Sequence, residues 1–264
     1  MNIAVLIKQV PVSDNVSVNP ETHALIRSSS EGMINPADRN AIEAAIVLKE
    51  QTEGKTVVFT MGPPNAEKAL REAMAIGCDE SCLITDRCFG GGDTIATAKV
   101  IAKGIEKYGK FDLIIGGAMS SDGATGQVGA MAAEYLGIPH ISEISSLTFD
   151  SSESGSITAE KRYQGMQVKI KASLPALVTV NFGCNEPRMA TLRSTRAAKT
   201  KPLVTYTNAE LCMAKEDAGL SGSPTVVTDS FEPEHARKAE MLSGSPDEMA
   251  AKLKELIDSE KGKE

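Results

Sequence analysis

Residues Cys88–Gly137 read CFGGGDTIATAKVIAKGIEKYGKFDLIIGGAMSSDGATGQVGAMAAEYLG. Three glycines and an Asp-Thr pair open the run, and Ile95, Ala98, Ile101, Ala102 and Ile105 then recur at helical spacing. The apolar strand "FDLIIGG" follows. A second loop rich in glycine and hydroxyls, Ser120–Gln127, leads into another helix. Loop, helix, strand, loop and helix in succession are what βα units of a parallel sheet require.

The same alternation extends upstream. "IAVLIK" (Ile3–Lys8) is nearly continuous in apolar residues, as a strand buried on both faces must be. "NPADRNAIEAAIVLKEQ" predicts a helix with Asn35 as its cap, Pro36 in its first turn, and Ile42, Ala45, Ile46 and the stem of Lys49 on its inner face. "TVVFT" is a strand, "PPNAEKALREAMAIG" a helix ending at Gly77, and "ESCLIT" a strand. After residue 140 the texture changes: "SITAEKRYQGMQVKIKA" predicts a hairpin turning at Gln164-Gly165, and "LPALVTVNFG" one more strand. From Lys199 the rhythm stops until "SPDEMAAKLKELIDSEK", a helix capped by Ser245 with Glu248 closing the box. The expected fold is α/β: a doubly wound, mostly parallel, Rossmann-like sheet with a C-terminal arm and helix. Residues 1–200 form the nucleotide-binding body, including the hairpin, and 201–264 an arm laid against another chain, with a disordered tail as the alternative.

Composition narrows the function. At 41% hydrophobic, the 264 residues can bury a sizeable core. Only 4% are aromatic, with no Trp, and the net charge is −7, which argues against nucleic acid as a partner. No apolar run is long enough to span a bilayer, and the first residues read as a buried strand rather than a leader; a cytoplasmic protein is expected. The five cysteines, Cys78, Cys82, Cys88, Cys184 and Cys212, form no CxxC and fit reduced thiols. Cys78 and Cys82 would share a face only on a helix, whereas their segment reads as a strand.

In open α/β sheets, ligands bind beyond the carboxyl ends of the strands. Those ends place Leu6, Met61, the loop Gly90, Gly91, Gly92, Asp93, Thr94, and the loop Gly116, Gly117, Ser120, Ser121, Asp122, Gly123, Thr125, Gly126, Gln127 along one edge. Glycine lets the backbone approach a ligand closely, and a helix N-terminus offers N–H groups to phosphate. Such loops also occur simply as tight turns. The pattern is neither GxGxxG nor a P-loop, since the lysine of the latter is missing. Asp93 and Asp122 read as helix caps. His23, His140 and His235 accompany no nucleophile motif, no metal spacing appears, and no catalytic residue is assigned. A cofactor that brings its own chemistry reconciles a nucleotide scaffold with the lack of an acid, base or nucleophile.

"SLPALVTVNFGCNEPRMATLRSTRAAKTKP" (Ser173–Pro202) resembles the segment that marks the β subunit of electron transfer flavoproteins, through Leu174-Pro175-Ala176, Val178-Thr179, Asn185-Glu186-Pro187-Arg188 and Ala190-Thr191-Leu192. "VLIKQVPVSD", "INPADRNAIEAAIVLKE", "DGATGQVGAMAAEYLG" and the terminal "AAKLKEL" fit as well, so the likeness covers nearly the whole chain. Gln164-Gly165-Met166 departs from the Asp-Gly-Gly turn of many members. The resemblance implies a heterodimer whose α subunit carries FAD while the β subunit binds AMP or, in the electron-bifurcating class, a second FAD. The glycine loop with Thr97 and the Ser120–Gln127 loop resemble the bifurcating class. It implies an adenine end at Leu6, Asn35, Met61 and the 117–127 loop, and a pyrophosphate and flavin end toward Asp93, Thr94 and Thr97. NADH would give hydride to this FAD. One electron would pass through the α-subunit FAD to an acyl-CoA dehydrogenase or reductase, and the other to ferredoxin or flavodoxin. Leu192, with Thr191 and Arg193 beside it in a loop, matches the residue by which the family docks its dehydrogenase. An AMP-binding β subunit is the alternative; an ATP pyrophosphatase-like enzyme and a universal-stress-type nucleotide sensor are remoter ones.

Overall fold

A computed structural model describes residues 1–12, 32–149, 155–229 and 241–261. In chain order its elements are β1 (Asn2–Leu6), β2 (Gln9–Pro11), β3 (Gly32–Ile34), α1 (Pro36–Thr52), β4 (Lys55–Met61), α2 (Glu67–Ile76), β5 (Glu80–Ile84), α3 (Thr94–Tyr108), β6 (Leu113–Gly117), α4 (Val128–Leu136) and β7 (His140–Ile144). There follow β8 (Ser146–Thr148), β9 (Ser156–Tyr163), β10 (Met166–Ser173), β11 (Ala176–Val180), α5 (Leu192–Ala198), β12 (Leu203–Tyr206), α6 (Asn208–Leu211) and α7 (Pro246–Lys261).

Seven strands make one parallel sheet in the order β12-β5-β4-β1-β6-β11-β7. Successive side chains of a strand point to opposite faces, and the two faces bury different helices. Ile3, Val5, Ile115 and Val178 pack with Ile42 and Ile46 of α1, Leu70 and Met74 of α2 and Ala198 of α5. Ala4, Phe59, Ile114 and Leu177 pack with Ala98 and Ile105 of α3 and with Ala132 and Ala133 of α4. This is the doubly wound arrangement. β4 and β6 flank β1 on opposite sides, so the winding reverses between β1 and β6. The loops that leave these two strands diverge there, at the place where a doubly wound sheet binds its ligands.

The strand–helix rhythm expected to end near Lys199 in fact continues: β12 pairs with β5 and forms one edge of the sheet. β7, at the other edge, was likewise missed after residue 140. Edge strands are short and half-exposed, so they lack the continuous apolar signal of central ones. The body thus takes in residues past 200, and the chain divides into compact units Met1–Thr228 and Asp229–Glu264.

The predicted hairpin is present as β9 and β10, with Tyr163 opposite Met166. Gln164 and Gly165 both have positive φ, 48° and 79°, as a two-residue turn matched to strand twist demands. Together with β8 they form a separate antiparallel sheet. In the terminal helix, Ser245 and Glu248 close the expected capping box. Among the described residues no helix is long and apolar enough to cross a membrane.

Candidate functional site

At the reversal point the chain leaves β1 through Ile7 and Lys8 and leaves β6 through Gly117–Ser120. A buried carboxylate joins the two. Asp38, in the first turn of α1, accepts hydrogen bonds from the backbone N–H of Lys8 at 2.6 Å and of Gly117 at 3.1 Å, and from Asn35 Nδ2 at 3.0 Å. Gly117 must be glycine for this: a Cβ there would lie 2.1 Å from Asp38 Oδ1. Burial pushes the Asp38 carboxyl up to about 7, against the three donors and the Lys8 charge that pull it down.

Asn35 does not cap α1 through its side chain as expected. Its amide turns to the second glycine loop instead, donating to the carbonyl of Met119 at 2.9 Å and accepting from Ser121 N at 3.0 Å. Asp122 is not a helix cap either, because α4 begins six residues later, after Gln127. Its side chain is only 3% exposed and pairs with Lys8 Nζ at 2.6 Å, while that ammonium also donates to Ser120 Oγ at 3.2 Å. Lys8 therefore brings a cation to this reversal point, its stem lying along the protein.

The first glycine loop lies beside the second. Thr94, the first residue of α3, donates through Oγ1 to Gln127 Oε1 at 3.0 Å, and α3 packs along α4. Asp93 caps α3 as expected, with Oδ1 accepting from Ile95 N and Ala96 N at 3.0 Å each. Its Oδ2 is taken by Thr225, through N–H at 3.2 Å and Oγ1 at 2.8 Å, and its own N–H donates to Ser223 Oγ at 2.8 Å. Leu220 N donates to the carbonyl of Gly90, and Lys99 pairs with Asp217 at 2.7 Å. The segment from Lys215 to Thr225 is thus a strap across the glycine loop. Burial pulls the Asp93 carboxyl upward, but its donors from Ala96, Thr225 and Ile95 outweigh that and hold it below the usual carboxylate range.

This corrects one expectation about anion binding. The first-turn amides of Ile95 and Ala96 are spent on Asp93, and Thr97 N bonds the Asp93 carbonyl. The donors that remain are in the loops: among the described residues no acceptor meets the N–H groups of Gly91, Gly92, Gly123 and Gly126. Lys8 bonds Ser120, the hydroxyl-bearing Ser120 and Thr125 belong to the second of these loops and Thr97 to the helix start beside the first, and free loop amides of this kind are what an anion can use. Leu6 and Met61, half-buried, end neighbouring strands β1 and β4 on the same edge. The structure thus gathers the expected residues at one sheet edge, while Lys8 and Asp38 were missed. Their signals are visible in hindsight: a lysine immediately after an apolar strand, and an acid three residues after Asn35 in "NPAD".

His140, the one histidine among the described residues, is not part of this edge. His140, half-buried on β7, has an Nε2 without a partner among the described residues, and burial lowers its pKa. His23 and His235 lie outside the described residues. Cys78 and Cys82 are buried, and that burial pushes both thiols up to about 12.

A second surface lies beyond β11. Leu192 does not sit in a loop as expected; it is the first residue of α5, with Thr191 as N-cap and Ser194 closing the box. It is nevertheless 85% exposed, as are Met189 (82%) and Phe182 (76%) nearby in sequence. Arg193 is exposed beside it.

Comparison with known proteins fits this geometry. The family model described as "Electron transfer flavoprotein domain" matches residues 22–211. The chain is 39% identical over 260 residues, 98% of each chain, to the electron transfer flavoprotein subunit beta of Thermoanaerobacterium thermosaccharolyticum. It is 37% identical over 246 residues, 93% of each chain, to the caffeyl-CoA reductase-Etf complex subunit CarD of Acetobacterium woodii. Protein FixA of Azorhizobium caulinodans is 36% identical over 251 residues, 93% of this chain and 89% of its own. With a seven-stranded parallel sheet, glycine-rich loops at its strand ends and full-length similarity to β subunits, the chain belongs to the electron transfer flavoprotein family as a β subunit.

Proposed function

We propose that these loops hold FAD and that the chain is the β subunit of an electron-bifurcating electron transfer flavoprotein. The observation that carries this is the Thr94–Gln127 bond, which makes one continuous site from two amide-lined loops. Two adjoining amide-lined loops give donors along the longer phosphate chain of a dinucleotide. The likeness to CarD, a subunit of a caffeyl-CoA reductase-Etf complex, supports an acyl-CoA reductase as a partner.

In this proposal Leu6, Met61, Asn35 and Gly117 border the adenine end. The amides of Gly91, Gly92, Gly123 and Gly126, with Lys8, Thr94, Thr97, Ser120, Ser121, Thr125 and Gln127, border the phosphates. Asp122 holds Lys8 in place, and Asp93 holds the loop. When bound, FAD supplies hydride chemistry toward NADH and one-electron chemistry toward two acceptors. Those are the α-subunit FAD with an acyl-CoA dehydrogenase or reductase, and ferredoxin or flavodoxin. The arm expected over 201–264 is represented by the terminal helix α7, which packs on the α subunit.

Purification of the native heterodimer and extraction of its small molecules test the proposal. Two flavins per heterodimer are expected; one flavin with released AMP would assign the chain to the AMP-binding class. For docking, Leu192→Ala should raise the KM for the dehydrogenase roughly tenfold or more, the effect of truncating an exposed anchor worth at least about 1.4 kcal/mol. Flavin content should not change. Steady-state electron delivery at varied dehydrogenase concentration measures it, and an unaltered KM removes the docking role.

A further inference from the structure

The segment joining β11 to α5 is fastened to α1 by an unusual density of polar contacts. Asn40 of α1 donates through Nδ2 to both the carbonyl and the Oδ1 of Asn185, at 2.7 and 2.8 Å, and accepts from Gly183 N at 3.2 Å. Asn185 returns a bond to the Asn40 carbonyl at 3.0 Å. Three residues on, Arg188 spreads its whole guanidinium over the same helix. Nε and Nη2 bond Glu43 at 2.9 Å each, and Nη1 bonds Glu50 at 2.6 Å. The Arg188 backbone N–H reaches Glu43 as well, at 3.0 Å. Glu43 and Glu50 are seven residues apart, two turns of one helix, and so share a face. Asn40 and Glu43 are buried, whereas Met189 and Leu192, just past the clamp, are among the most exposed apolar side chains described.

A sequence that fixes its backbone this firmly and then presents bare apolar side chains is preorganised for contact. We propose that Arg188 is the positioning residue of the docking surface: held by Glu43 and Glu50, it fixes the direction in which Met189 and Leu192 meet the partner dehydrogenase. Arginine is required because a planar fork spans two carboxylates and a lysine ammonium cannot. The proposal rests on the docking role of Leu192 given above.

The test uses the intact heterodimer with Arg188→Lys, and with Glu50→Gln as a milder variant at the exposed end of the clamp. Both should raise the KM for the acyl-CoA dehydrogenase, about tenfold for Arg188→Lys, with kcat and flavin content unchanged. Amide hydrogen exchange should speed up across residues 186–195 while the α1 amides stay protected. Arg188→Lys and Leu192→Ala should combine to less than the product of their separate effects, because a displaced anchor has less to lose. If Leu192→Ala raises KM and neither clamp variant does, the clamp proposal fails and docking stands. If Leu192→Ala itself has no effect, the docking surface is misassigned and the clamp's role falls with it. A drop in kcat and flavin content without a KM change would mark Arg188 as merely structural.

Discussion

Asp38→Ala is expected to destabilise the chain by about 3 kcal/mol or more, because it strands the buried donors of Lys8 N, Gly117 N and Asn35 Nδ2 at once. Asp38 also joins the ends of β1 and β6, so the same change should loosen the loops there and weaken the proposed nucleotide site. Asp38→Asn separates charge from shape. The folded carboxyl sits at about 7 against an ordinary 3.8, so between those values the folded state binds a proton that the unfolded state does not. For a raised pKa, the associated stability is fully present below about pH 4 and is lost as pH rises through 7. The wild type's advantage over Asp38→Asn should therefore shrink by up to roughly 4 kcal/mol between pH 4 and pH 7.5, three pKa units at about 1.4 kcal/mol each. Urea denaturation of both proteins at the two pH values measures it. A difference independent of pH would show that the three donors and Lys8 overcome burial and keep the carboxylate ionised throughout.

Asp38 also shows where the sequence was legible and where it was not. The core strands and helices were, because Ile3–Val5, Val57–Phe59 and Leu113–Ile115 are continuous apolar runs and α1 to α4 carry apolar residues at helical spacing. The glycine loops were legible because Gly91, Gly92, Gly117, Gly123 and Gly126 cluster at strand ends. Side-chain partners at long range were not. Asn35 carries the usual signature of a cap, yet its amide is drawn to Met119 and Ser121, more than eighty residues away. Asp122 reads locally as a cap and is claimed by Lys8 from the first strand. β12 was hidden for a related reason: it adds to an existing sheet edge, and that edge is visible only once β5 is in place. Short polar side chains near helix starts thus have two competing uses, and only the fold decides between them.

Asp93→Ala should have the second large effect in the proposed FAD site, through the loop rather than through direct contact with phosphate. Both carboxylate oxygens are already engaged, Oδ1 by the first turn of α3 and Oδ2 by Thr225. Truncation removes the helix cap, worth about 0.5–2 kcal/mol, and also unfastens the strap that backs Gly90–Gly92. The loop amides of Gly91 and Gly92 would then no longer be fixed toward the ligand, and the ordering they lose must be supplied on binding. Retention of the proposed β-subunit FAD should weaken by about ten- to a hundredfold, since each 1.4 kcal/mol is a factor of ten, while the flavin proposed for the α subunit stays. The combined Ser223→Ala, Thr225→Ala variant leaves the cap intact and cuts only the strap. If fastening is what matters, it should reproduce most of the loss. Flavin released on repeated dilution and gel filtration gives the readout for both variants. Full retention in the strap variant, with loss in Asp93→Ala, would trace the effect to the cap. Two flavins held at wild-type affinity in both would remove the glycine loop from the cofactor site.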